Sequence, residues 1–285
     1  MKSGLHALLI ASALVANGAA QAVEIETDHL FAFNMGTDIG DPGEKEIQSS
    51  FEGRFGRSAG RYSALAGSLS LQYTPVRDVQ LELEAAGASH SIDNVPGMDD
   101  RHASAFGGLS FSASYRLLDR EKSGLGLSFT AAPFWARVDD DTGEPINGYG
   151  AEVTLAVDKE LVDNRLVGVF NVRYEPSTSQ SRLDRTWSHE SVLDLSGGLM
   201  ARLGDNVFGG IEARYMRQYE TLGFSEFVGQ AFYLGPTLSV TLSKQAWLTV
   251  GWNAQIAGRA VGESGALDLT HFSRHELRLL LGTTF

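Results

Sequence analysis

Two histidines of this chain sit beside serines. His90 precedes Ser91, and His189 is flanked by Ser188 and, two residues on, Ser191. A hydroxyl next to an imidazole suggests a nucleophile and its base. Neighbours on an extended strand point to opposite faces, however, so adjacency alone does not bring His90 to Ser91.

The charged residues offer a second chemistry. Glu82, Glu84, Glu152, Asp158, Glu175, Glu190, Asp194, Glu212 and Glu276 fall on positions of one parity within alternating segments. Arg116, Arg173, Arg202, Arg214, Arg274 and Arg278 share that parity. Lining one space, such groups either bias which ions pass or pair and fill it. Gly108, Ser110, Ser112, Ser128, Thr130, Ser196, Gly198 and Ser239 have the same parity. Their small size favours a narrow open space.

Metal chemistry is weakly supported. His90, Asp93, Asp99, Asp100 and His102 bracket one link, and Asp139, Asp140, Asp141 and Glu144 occupy another. These are ligand types for a divalent ion, but the Asp run lacks EF-hand spacing. His271 and His275 would converge on a helix, not on a strand. The expectation is no metal and no cofactor.

Composition limits the classes. The chain has 285 residues, no Cys and a net charge of -12. Disulfide scaffolds and thiolate metal sites are excluded, and so acidic a chain is a poor nucleic-acid binder. A mean hydropathy of -0.10 argues against repeated apolar helices of about 20 residues. Lys2, the apolar run from Leu5 to Ala16, and Ala20-Gln21-Ala22 form an export signal over 1–22. The mature domain is then 23–285.

That domain must be built from strands. Ala246, Leu248, Val250, Trp252, Ala254 and Ile256 alternate with Trp247, Thr249, Gly251, Asn253 and Gln255. Leu65, Gly67, Leu69, Leu71 and Tyr73 do the same with Ala66, Ser68, Ser70 and Gln72. Period two over about 9–11 residues, with one apolar face, is the pattern of a transmembrane barrel strand. Twelve strands are expected near 29–39, 61–74, 77–90, 102–118, 123–138, 147–158, 164–176, 186–203, 206–219, 228–243, 246–258 and 271–285. Short links alternate with longer ones near 40–60, 91–101, 139–146, 177–185, 220–227 and 259–270. An even count puts both termini on the periplasmic side. Glu46–Arg57 is read as part of a long first hairpin or as a lid, leaving open whether 40–60 plugs the mouth. Tyr73, Tyr115, Trp247 and Phe285 are expected in a turn-side aromatic girdle.

The last strand carries a resemblance. Leu277, Leu279, Leu281, Thr283 and Phe285 share one face, and the chain stops on the aromatic. This resembles the C-terminal strand of bacterial outer-membrane β-barrel proteins. The resemblance implies an antiparallel transmembrane β-barrel in a Gram-negative outer membrane, amid its lipid and lipopolysaccharide. It also implies Leu277, Leu279, Leu281 and Phe285 as an assembly signal, with export and barrel-assembly machinery as partners.

Together these readings give a monomeric barrel forming a narrow passive pore for small polar solutes, weakly cation-preferring. Its lining residues would be Glu82, Glu84, Glu152, Arg173, Asp194, Glu212, Arg214, Glu276 and Arg278. It is not expected to be an enzyme. The alternatives are a closed structural or adhesive barrel acting through its outer loops, and a membrane-surface lipid hydrolase using His90 or His189.

Overall fold

A computed structural model of the chain describes residues 25–285. The expected export signal, 1–22, lies outside the described residues. Twelve antiparallel strands close into one barrel. They are β1 (Lys45–Phe55), β2 (Arg61–Val76), β3 (Val79–Asp93), β4 (Arg101–Leu118), β5 (Gly126–Val138) and β6 (Pro145–Val162). β7 (Leu166–Ser181), β8 (Trp187–Gly204), β9 (Val207–Tyr219), β10 (Phe227–Thr241), β11 (Ala246–Ala260) and β12 (His275–Thr284) complete it. Each strand pairs with its sequence neighbour. β1 closes on β12, from Glu46 opposite Thr284 to Phe55 opposite His275. One helical turn, α1 (Arg120–Ser123), follows β4.

The side-chain period fixes the two faces. Leu69, Leu71, Leu83, Leu109, Phe111, Phe129, Phe170 and Leu281 point outward and stay exposed. In water this would be an apolar patch far beyond what a soluble protein tolerates. In a bilayer it is a lipid-facing belt, and closure leaves no sheet edge unsatisfied. The strands run from 10 to 18 residues, longer than a bilayer needs, so they rise above the belt at the end opposite the termini.

The count of twelve holds, but the first strand is not 29–39. Residues 25–40 run inside the barrel instead, 41–44 turn into β1, and Glu46–Arg57 overlaps β1 and continues into the following turn. The reason lies in burial. Leu30, Phe31, Ala32 and Phe33 are all buried, so the segment has no face left for lipid. On β1 the parity is regular, with Glu46, Gln48, Ser50 and Glu52 on one face and Ile47, Phe51 and Phe55 on the other. The expected long link near 40–60 accordingly shrinks to 56–60. Trp247 also leaves the girdle. It points inward, is 7% exposed and stacks on His29 with ring centroids 3.9 Å apart.

Candidate functional site

The inner segment occupies the turn-side half of the lumen, against the wall from β6 to β11. Three charged anchors stand out, beside the neutral Asn171 of β7, which accepts the Met35 N–H at 2.7 Å and donates to its carbonyl at 3.0 Å. Arg120 of α1 reaches Asp38 at 2.8 Å, Asp158 of β6 at 2.9 Å and the Ile25 carbonyl at 2.6 Å. Glu212 of β9 accepts the backbone N–H groups of Ala32 at 2.8 Å and Phe33 at 3.0 Å, and the Asn34 amide at 2.7 Å. Thr237 donates to the same carboxylate. The third anchor is His29, which meets Glu46 at 2.9 Å and Asp28 at 3.3 Å. Burial pushes the Asp28 carboxyl up to about 7, against the pull of His29. His29 is itself raised: the Asp28 and Glu46 carboxylates outweigh its burial.

On the opposite wall the small inward residues leave room. A cavity of about 430 Å³ lies between the inner segment and the wall that runs from β12 through β1 to β7. Gln72, Gln80 and Ser114 line it toward the turns, and Ala88, Ala136 and Asp140 toward the loops. Glu82 and Glu84 face this space from β3, with Ser68 donating to Glu84 at 2.6 Å.

A second cavity of about 330 Å³ lies above, beneath the loops. Its wall holds Glu52, Asp139, Asp140, Asp141, Glu190, Asp194 and Glu276 against Arg54 and Arg214. An ion-pair chain crosses one side of the barrel. Glu152 meets Arg173 at 3.3 Å, Arg173 approaches Asp194 at 3.9 Å, and Arg214 binds Asp194 at 2.9 Å and Glu276 at 2.6 Å. Glu152, Arg173, Glu175 and Arg278 line both cavities, together with Phe33 and Asp140. These shared residues form a collar of mixed charge between the two spaces.

Two loops lean over the mouth. Asp141, in the 139–144 link, binds Arg54 at 3.1 Å and Arg57 at 2.8 Å. The 261–274 link folds inward, where Tyr233 donates to the Ser273 carbonyl at 2.5 Å and Asp268 contacts His271 at 3.1 Å. That contact, with its hydrogen bond, raises the His271 imidazole despite partial burial.

Of the sequence candidates, Glu82, Glu84, Glu152, Arg173 and Arg278 border the larger cavity, and Asp194, Arg214 and Glu276 border the outer one. Glu212 differs: it is fully buried and holds the inner segment. The wall of the segment, Phe31 to Gly36, was missed because 29–39 was read as a strand. Leu277 and Leu281 lie on the lipid face, and Phe285 is exposed at the turn end with its N–H on the Lys45 carbonyl. His90 points inward to the Asp140 carbonyl at 2.9 Å, and His189 outward to the Thr178 hydroxyl at 2.9 Å. Gly56-Arg57-Ser58-Ala59-Gly60 spells G-x-S-x-G, where the non-enzyme reading finds no such elbow. It forms the β1–β2 link, with no strand–turn–helix around Ser58, so it is not a nucleophile elbow.

Closed antiparallel strands, a lipid-facing belt and a polar lumen define a bacterial outer-membrane β-barrel. The chain belongs to a family of unknown function (DUF6662), whose model matches residues 23–285. No curated protein matches it. Among solved structures it is similar to an outer membrane channel from Pseudomonas putida F1, with a TM-score of 0.59, 11% identity, and 87% of this chain and 98% of that one covered. The β domain of the Bordetella autotransporter Brka gives a TM-score of 0.56 at 12% identity, covering 85% and 100%. The translocator domain of autotransporter NalP from Neisseria meningitidis gives 0.53 at 13%, covering 87% and 91%. At these identities the likeness is one of fold, and the fold is that of the outer membrane.

Proposed function

We propose that the barrel is a narrow passive conduit for small polar solutes, weakly preferring cations. What carries the reading is the collar of Glu152, Arg173, Glu175 and Arg278, shared by both cavities. In this reading a solute entering from the loops passes the collar and then the inner segment, rather than stopping against it. Carboxylates outnumber guanidinium groups along both cavities, and a low-dielectric wall concentrates their field on a passing ion. In the collar Arg173 is held between Glu152 and Asp194, so its charge tempers the acidic bias without reversing it.

The inner segment favours a second reading, a closed barrel that works through its loops. Its anchors are dense and mostly buried. Flux separates the two. Liposomes carrying the folded barrel should pass a small organic cation faster than a neutral solute of like size, and an organic anion slowest. Equal impermeability to all three in folded, inserted protein would support the closed barrel.

A further inference from the structure

On the lipid-facing side of the β3–β4 hairpin, Ser91, His102 and Asp93 form one hydrogen-bonded line. The Ser91 hydroxyl lies 3.2 Å from His102 Nδ1, and His102 Nε2 lies 2.9 Å from Asp93 Oδ1. The sheet itself sets this up. Ser91 stands directly opposite His102 across the ladder, and Asp93, two residues on, shares Ser91's face. We propose that Ser91, His102 and Asp93 are a hydrolytic site for the acyl esters of membrane lipids. It lies outside the barrel and is independent of the conduit.

The hydrogen bonds fix the proton inventory. A carboxylate only accepts, so His102 Nε2 carries the hydrogen that Asp93 receives. Nδ1 is then the free acceptor facing the Ser91 hydroxyl, which is the tautomer a general base requires. Arg61 meets the other oxygen of Asp93 at 3.2 Å and holds the carboxylate in place. Asp93 is a positioning residue; Ser91 and His102 are the groups that meet substrate.

Position names the substrate class. One row toward the membrane, Ser89 pairs with Leu65 and Ser104, and the row beyond holds Phe106. Leu65 and Phe106 are about half exposed on the same face. The change from apolar to polar therefore falls within two rows of Ser91, roughly 7 Å per row. This is the level at which a lipid's ester bonds pass from hydrocarbon to headgroup. Ser104 donates to Ser89 at 2.9 Å, so the polar surface continues one row below Ser91.

The chemistry balances with water alone. Ser91 Oγ bonds to the acyl carbon while its proton moves to His102 Nδ1. The ester C–O bond breaks as His102 returns that proton to the leaving alcohol. Water, deprotonated by His102, then cleaves the acyl-serine, releasing a fatty acid and regenerating Ser91.

The test uses the whole folded barrel, with folding shown by heat-modifiable gel mobility. A fluorophosphonate probe reports an activated serine. Fatty-acid release is measured in one arm from phosphatidylethanolamine–phosphatidylglycerol vesicles and in another from lipopolysaccharide. Labelling, and release in at least one arm, should fall about 100-fold or more in Ser91→Ala and His102→Ala. Asp93→Asn should keep the fold but shift the pH profile of the remaining release. Labelling or release unchanged in Ser91→Ala would overturn the proposal. So would a folded wild-type barrel that takes no label and releases no fatty acid from either lipid.

Discussion

The Glu212 carboxylate of β9 accepts the Ala32 backbone N–H at 2.8 Å, joining the barrel wall to the segment inside it. Both residues are almost completely buried. A carboxylate aimed at successive backbone N–H groups is a strong, directional hold. It makes the inner segment part of the barrel's structure and also the element whose release would widen the path.

Replacing Glu212 with Ala should loosen that hold. Each buried donor left without a partner costs about 1–3 kcal/mol. Conductance should rise, and residues 25–40 should become open to protease while the barrel stays folded. Limited proteolysis beside single-channel recording checks both, and a segment still protected in the variant would count against its anchoring by Glu212.

Arg120→Ala removes the partner of two carboxylates near the turns. The Asp158 side chain is fully buried, and Arg120 is 5% exposed. Stranding such a charge costs about 3–5 kcal/mol. Denaturant melting in detergent should show the loss. Substituting Arg120 together with Asp158→Asn should restore part of it, because the fully buried charge is then gone and only Asp38, which is partly exposed, lacks its cation.

The inner segment should also answer to pH. Asp28, raised to about 7, holds its proton more tightly when seated than when free, so ionising it weakens seating. His29, raised by Asp28 and Glu46, contributes its extra hold below its ordinary value and loses it as pH rises through the raised one. Both act in one direction. Seating weakens from about pH 4 upward through neutrality, and conductance should grow between pH 6 and 8. Asp28→Asn should flatten the response; a steeper one would show that the sign is wrong.

Glu82 and Glu84 supply the test of charge. Both face the larger cavity from β3. Exchanging the pair for Lys should move the reversal potential in a salt gradient toward anions. An unchanged potential would mean that ions do not pass these side chains.

Much of this architecture is legible in the sequence because a barrel obeys one simple rule. Parity separated Leu83 from Glu84 and Leu277 from Arg278, and the wall residues stand where parity puts them. Parity fails where the chain is surrounded by protein. Leu30 to Phe33 are apolar on every side, which reads as strand until burial shows otherwise. Glu212 carries the parity of a lining residue, and only the inner segment's N–H groups reveal it as an anchor. The Ser91–His102 contact hides for another reason. It depends on cross-strand register, whereas reading along the chain sets beside Ser91 only His90, on the opposite face. The register would have been found by folding the hairpin about 94–100.

The central claim is that a path runs past the inner segment, and planar bilayers test it most directly. Folded barrel should give discrete conductance steps, with a reversal potential in a KCl gradient on the cation-selective side. Glu212→Ala should enlarge those steps. A membrane that stays silent with inserted, folded protein, or a reversal of anionic sign, would contradict the account.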